Sequence, residues 1–331
     1  MVRVDYDDRW QLSGLHAAIL ANPWMRVVVL PELGGKIWSI EYRPQAHEWL
    51  WHNPRIGAAR APFGATFDEN WSGGADVAFP TCYPSHWNGW SVPDLGELWS
   101  IPWHAAFHAE EEEGVLTLSA GGRIWPVNIV RTIRMDHRRP LLTLGFEIIN
   151  VGSEPYPFIM GFHPALAIAP GYHIDLPPGT VRVNEGSGVM GAIGQEYQWP
   201  ILKTPLGQRD MRVIPPPSCG EFGGHFFWPK TPDLWWSVID PKQRIGIGLV
   251  APRDRFQGLW LWQVYGGWRG YYHLALEPWT GYPITLDKAV DAGTAQWLSP
   301  GIPYSTEIKL TCFEAVDRVT AIDWEANVHS G

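Results

Sequence analysis

Tyr271-Tyr272-His273-Leu274-Ala275-Leu276-Glu277-Pro278-Trp279 repeats its character every second residue. Tyr271, His273, Ala275 and Glu277 share one face, and Tyr272, Leu274 and Leu276 the other, which is the period of a strand. The leucine face belongs to a core. The other face carries an imidazole and a carboxylate near a strand end, unusual for a buried surface. His273 and Glu277 are separated by about 13 Å along such a strand, too far for a direct hydrogen bond. Two readings follow. Glu277 is a rim carboxylate paired with an arginine, or a chemical group whose partner comes from elsewhere in the chain.

Working outward, the same signature recurs at Arg26–Leu30, Val115–Ser119, Leu141–Ile149, Trp235–Ile239, Ile245–Val250, Leu259–Val264 and Glu307–Cys312. Each run is short, rich in β-branched and aromatic residues, and bounded by Gly, Pro, Asn or Asp. No stretch keeps a 3.6-residue apolar period with caps at both ends, so helix is expected to be scarce. The expected fold class is all-β, a large antiparallel β-sandwich. Residues 55–93 are less regular, and a loop of that length in a compact domain is usually functional. Glu110–Glu113 reads as a solvated hairpin turn. With no linker, repeat or low-complexity segment, residues 1–331 are expected to form a single domain.

Composition supports many strands joined by tight turns. The 331 residues include 35 Gly and 30 Pro, scattered without a period. Together they are about a fifth of the chain against roughly 12% in average proteins. There are 21 Trp, most of them explicable as large core rings. A handful suit a ligand that is apolar on one face and polar at its rim, as a pyranose is. The net charge is −9, with Lys and Arg dispersed. That pattern argues against nucleic acid and, weakly, against a highly anionic substrate. Cys82, Cys219 and Cys312 are far apart and read as reduced thiols. The charged N-terminus lacks a signal core, and no run is long enough to span a membrane, so a cytoplasmic location is expected.

Three segments carry candidate chemistry. In Phe158-Ile159-Met160-Gly161-Phe162-His163-Pro164, Pro164 holds His163 extended. A histidine so directed suits general acid catalysis, although a core histidine satisfied by a backbone carbonyl has the same local pattern. In Gly73-Gly74-Ala75-Asp76 and Pro93-Asp94-Leu95-Gly96-Glu97-Leu98-Trp99-Ser100-Ile101-Pro102-Trp103, carboxylates (Asp76, Asp94, Glu97) and rings (Trp99, Trp103) lie in a Gly/Pro-rich frame. Carboxylates accept hydroxyl protons and rings stack on C–H faces. His52, His86, His104 and His108 lack the helical context or neighbouring ligands a metal site needs, and no metal is expected. Serine elbows, phosphate loops and dinucleotide fingerprints are absent.

Taken in order, these pieces resemble the aldose 1-epimerase (galactose mutarotase-like) superfamily. Val29-Leu30-Pro31-Glu32-Leu33-Gly34-Gly35-Lys36-Ile37-Trp38-Ser39 is similar to its opening hairpin, and Gly73-Gly74 with Phe79-Pro80 to its approach to the site. Phe162-His163-Pro164 and Leu276-Glu277-Pro278 resemble the motifs of a catalytic histidine and a catalytic glutamate. Leu298-Ser299-Pro300-Gly301 resembles a closing turn. The resemblance spans about residues 27–312. It implies interconversion of anomers at C1 of an aldose or modified sugar, with Glu277 as base and His163 as acid and no cofactor. Asp76, His86, Glu97, Trp99, Trp103 and Trp279 would bind the sugar.

The chain departs from that pattern at Leu95, where a second family histidine is expected, and at Trp99, which matches an arginine associated with phosphorylated sugars. Either His86 or His104 substitutes for the first, or one interaction is dropped, at about 1–3 kcal/mol. Loss of the second favours a neutral sugar. A non-catalytic sugar-binding protein is the alternative that Leu95 supports. A polysaccharide lyase or glycosidase-related domain ranks third, because the chain shows no basic cluster to neutralise a uronate.

Overall fold

The computed structural model describes residues 4–186, 188–314 and 316–331. The chain divides into two compact units, Met1–Pro164 with Trp279–Ile308, and Ala165–Pro278 with Lys309–Gly331. Both are built of antiparallel strands. All eight runs read from the sequence fall on strands, extended at one or both ends, with Tyr271 just outside its own: Arg26–Leu30 lies in Met25–Leu30, Leu141–Ile149 in Leu141–Asn150, and Glu307–Cys312 in Pro303–Glu314. Helix is confined to short pieces, the α-helical ones being Phe67–Asn70 and Leu286–Asp291. Among the described residues no helix is long and apolar enough to cross a membrane.

In the first unit, the strands Asp5–Leu12, Leu15–Ala21, Met25–Leu30, Lys36–Tyr42, Ala75–Ala78 and Gly161–Leu166 lie side by side in that order. A second layer runs Leu141–Asn150, Val127–Asp136, Glu113–Gly121, His104–Ala109. Val127–Asp136 shows why the layers pack: Val127, Ile129, Ile133 and Met135 are buried, while Asn128, Thr132 and Arg134 point outward. Alternation of this kind gives a strand one core face and one wet face. Asp5–Leu12 is exposed and carries four charged residues in eight positions, Asp5, Asp7, Asp8 and Arg9; charge on an outermost strand discourages edge-to-edge pairing.

The second unit orders Tyr272–Trp279, Gly258–Tyr265, Glu221–Pro229, Gly179–Gly186 and Glu196–Gln198 in one layer, and His173–Asp175, Asp233–Asp240, Ile245–Pro252 and Pro303–Glu314 in the other. Ile245–Pro252 is buried over almost its whole length, as expected for a strand covered on both faces. Cys82 and Cys312 are buried and Cys219 is exposed.

Candidate active site

In the first unit, Ala75–Ala78 pairs antiparallel with Gly161–Leu166 and sets Asp76 directly opposite His163. Residues so opposed share a face of the sheet. Both are buried, Asp76 at 1% and His163 at 3% exposure. Lys36, at the start of the neighbouring strand, forms an ion pair with Asp76 and donates from Nζ to the Gly73 carbonyl at 2.7 Å. Gly73 and Gly74 have φ of +90° and +81°, and a Cβ on Gly73 would lie 2.1 Å from the Trp51 carbonyl oxygen. Only glycine permits that close, left-handed approach. Burial pushes the Asp76 carboxyl up and the Lys36 ammonium down, and each charge offsets the shift of the other.

Arg131 reaches the same region from the second layer. It is fully buried, donates from Nη1 to the Gly35 carbonyl at 3.0 Å, and lies over the rings of Phe146 and Phe162. Burial lowers its pKa to about 10. Lys36, Asp76 and Arg131 therefore leave one net positive charge in this wall.

His163 is flanked by Phe67 and Trp71, both edge-to-face at 5.7 and 5.5 Å. Burial, reinforced by the Lys36 charge, lowers its pKa to about 3. The imidazole is thus neutral at ordinary pH and can offer an N–H without carrying charge. Trp99 stacks edge-on against Phe67 at 5.1 Å and donates from Nε1 to the Asp94 carbonyl. The Asp94 carboxylate accepts the Phe67 N–H. Trp99 and Asp94 therefore act on the ring beside His163 at one remove.

Trp279 is fully buried, and its ring closes over Gly161: a Cβ there would lie 2.4 Å from Trp279 Cε2. Reciprocal hydrogen bonds between Met160 and Thr280 hold this register. Gly161→Ala is expected to displace the indole and to destabilise the protein by about 1–3 kcal/mol. Urea denaturation reads this directly, and an unchanged midpoint would contradict the packing.

The remaining candidates sit differently. Glu97 is fully buried and accepts the backbone N–H groups of Arg123, Ile124 and Trp125, the last two at 2.7 and 3.1 Å. Both oxygens are engaged by that turn, which gives Glu97 a structural task. Trp103 donates to the Leu98 carbonyl and lines an open cleft of about 410 Å³ with Tyr6, His16, Glu32 and His104. His86 lies on an exposed hairpin, bonded to Ser91 at 3.2 Å. Leu95 is buried at φ +54° in a turn closed by Gly96, whose Cβ would meet the Phe79 carbonyl oxygen at 1.8 Å.

In the second unit, Glu277 (1% exposed) and His273 (0%) share a face of Tyr272–Trp279, with Leu274 and Leu276 opposite. Trp262, from the adjacent strand, meets His273 edge-on at 4.8 Å. Trp260 shares its face. Glu221–Pro229 presents Gly224 opposite Trp262, and a Cβ on Gly224 would lie 2.5 Å from both Trp260 and Glu185. Glu185 reaches this face because the ladder slips between Val183 and Glu185, and a bulge re-aims the side chain that follows it. One face thus carries two carboxylates, an imidazole and two indoles.

The reverse face holds a second polar layer. His225 is fully buried beside Tyr197, with its pKa lowered by burial to about 4, and Gln263 bonds the Tyr265 hydroxyl. His163 and His225 contribute to the pH dependence of stability. The unfolded chain takes up these protons near pH 6.5, the folded chain only near 3 and 4. Stability is therefore fully present above pH 6.5 and is lost as pH falls toward those values, by up to about 2.7 kcal/mol per unit for two protons. Urea titrations at pH 7 and 5.5 measure the slope, and His225→Gln should lower it. A flat profile would contradict the burial of both rings.

The fold is the all-β, antiparallel sandwich of the galactose mutarotase-like proteins. A candidate aldose 1-epimerase of Klebsiella pneumoniae matches with a TM-score of 0.72 and 12% identity, over 94% of this chain and 83% of its own. A galactose mutarotase-like protein of Clostridium acetobutylicum gives 0.69 and 12%, over 95% and 99%. A galactose mutarotase related enzyme of Lactobacillus acidophilus gives 0.63 and 16%, over 91% and 98%. No family model matches the chain, and no curated protein does. At these identities the likeness is one of fold.

Proposed function

We propose that the protein is an isomerase that interconverts the anomers of a neutral sugar at C1. The observation that supports it best is Glu277, a buried carboxylate on a sheet face lined by Trp260 and Trp262. Glu277 takes the proton of the anomeric hydroxyl. The C1–O5 electron pair leaves to the ring oxygen, which receives a proton from His163, and the open aldehyde forms. After rotation about C1–C2 the hydroxyl adds back on the other side, and both protons return, so no net proton is exchanged. The Lys36 charge, which already depresses His163, lowers the cost of a neutral imidazole giving up a proton. General acid and base groups of this kind contribute about 10²–10⁴ each.

Trp99, where a phosphate-binding arginine is expected, has its ring committed to Phe67 and its N–H to Asp94, which supports a neutral substrate. The test is anomer exchange followed by NMR, with variants at Glu277 and His163. A sugar-binding protein without catalysis is the second reading, favoured by the buried Leu95. Sugar binding retained in wild type and Glu277→Gln alike, with no catalysed exchange in either, would select it.

A further inference from the structure

The segment Tyr83-Pro84-Ser85-His86-Trp87-Asn88-Gly89-Trp90-Ser91-Val92 holds no Lys, Arg, Asp or Glu. It forms a two-stranded hairpin in which Trp87 lies opposite Trp90 and His86 opposite Ser91. Asn88 and Gly89 have φ of +45° and +81°, the signature of a tight type I′ turn. Ser85 is buried and exchanges hydrogen bonds with Asp287, and Cys82 donates to the Ile284 carbonyl. The hairpin is thus pinned at its base, and its indoles are presented on a fixed frame.

Trp90 is nonetheless 51% exposed and Trp297 50%. Trp297 sits on Gln296–Leu298, which pairs with Tyr156–Phe158, and its ring meets Trp87 edge-on at 5.7 Å. Large rings left in water on a rigid frame call for a partner. The two supporting elements continue the strands that carry Asp76 and His163. The hairpin starts shortly after Ala75–Ala78, Tyr156–Phe158 runs on toward His163, and the Ile159 N–H donates to the Pro80 carbonyl between them.

We infer that Trp87, Trp90 and Trp297 form a platform for the outer units of a neutral glycan, so that the sugar acted upon is the end of a chain. This deepens the proposed isomerase reading, and it rests on that reading only for which unit reacts. The chemistry favours a glycan: indole faces stack on sugar C–H faces, Ser91, His86 and Asn88 offer hydrogen-bonding groups, and the hairpin itself holds no Lys or Arg to draw an anionic polymer. The exposed aromatic area, roughly 300 Å² for two half-covered indoles and Tyr83, falls well short of the ~800 Å² per partner of a stable protein interface. It suits two or three sugar units.

The test is calorimetric titration of the full chain with short neutral oligosaccharides of the gluco-, xylo-, manno- and galacto-series and with their monosaccharides. The expected result is that affinity rises with length for one series. Trp90→Ala and Trp297→Ala each lower the affinity for the longer members about tenfold and leave monosaccharide binding and thermal midpoint unchanged. Unaltered oligosaccharide affinity in the double variant would overturn the inference. So would the absence of length dependence in every series, or conversion of an oligomer to a monomer by these substitutions. Length-dependent binding that needs Trp90 and Trp297, with exchange absent from wild type, would leave the platform standing and remove the isomerase reading.

Discussion

Lys36→Met is expected to destabilise the protein by about 3–5 kcal/mol, the usual cost of removing one partner from a buried ion pair. Lys36 is fully buried, and its ammonium is held by Asp76 and the Gly73 carbonyl. Without it, Asp76 loses its ion-pair partner and must either take up a proton or rely on the Arg131 charge alone to offset its burial. Lys36→Met/Asp76→Asn removes both charges and should recover much of the loss, because the penalty lies in the orphaned charge rather than in the absent attraction. Urea denaturation of the two singles and the double gives the coupling directly. Additive losses would show that the groups do not act as a pair. The single substitution also removes one of the influences that depress His163, so its imidazole should titrate at higher pH, which the ring proton shifts report.

Glu277→Gln is expected to lower catalysed anomer exchange about a thousandfold, within the span a general base contributes. Glutamine keeps the shape and one acceptor, so the buried position is filled and near-UV dichroism should be unchanged. His163→Gln should cost about a hundredfold. Because the His163 ring is already neutral far below pH 7, its protonation contributes no fall in rate between pH 5 and 8. A rate that drops through pH 6.5 and loses that drop in His163→Gln would show instead that the imidazolium is the acid.

The strands were legible because alternation is a short-range signal. Tyr272–Trp279, Gly258–Tyr265 and Ile245–Pro252 each announce themselves through β-branched and aromatic residues between turn formers. Asp5–Leu12 was hidden because an exposed edge strand has no apolar face to read. Arg131 was missed although the signal was present: Val127, Ile129, Ile133 and Met135 mark one inward face, and Arg131 is the charged residue interrupting it. Lys36 could be suspected only as a charge opening an apolar strand. Its pairing with Asp76 spans forty residues, and no local pattern encodes it. Glu97 has, as a carboxylate near tryptophans, the composition of a sugar site, and its bonds to the backbone of residues 123–125 are not legible from spacing. The bulge that turns Glu185 toward Trp260 is likewise a property of strand pairing, invisible to spacing along one chain.

The most direct test of the central claim is saturation transfer between α and β anomers in the presence of the wild-type protein, across neutral aldoses and the reducing ends of short oligosaccharides. Faster exchange is expected for one sugar class, lost in Glu277→Gln. Exchange at the uncatalysed rate for every sugar tested would contradict it.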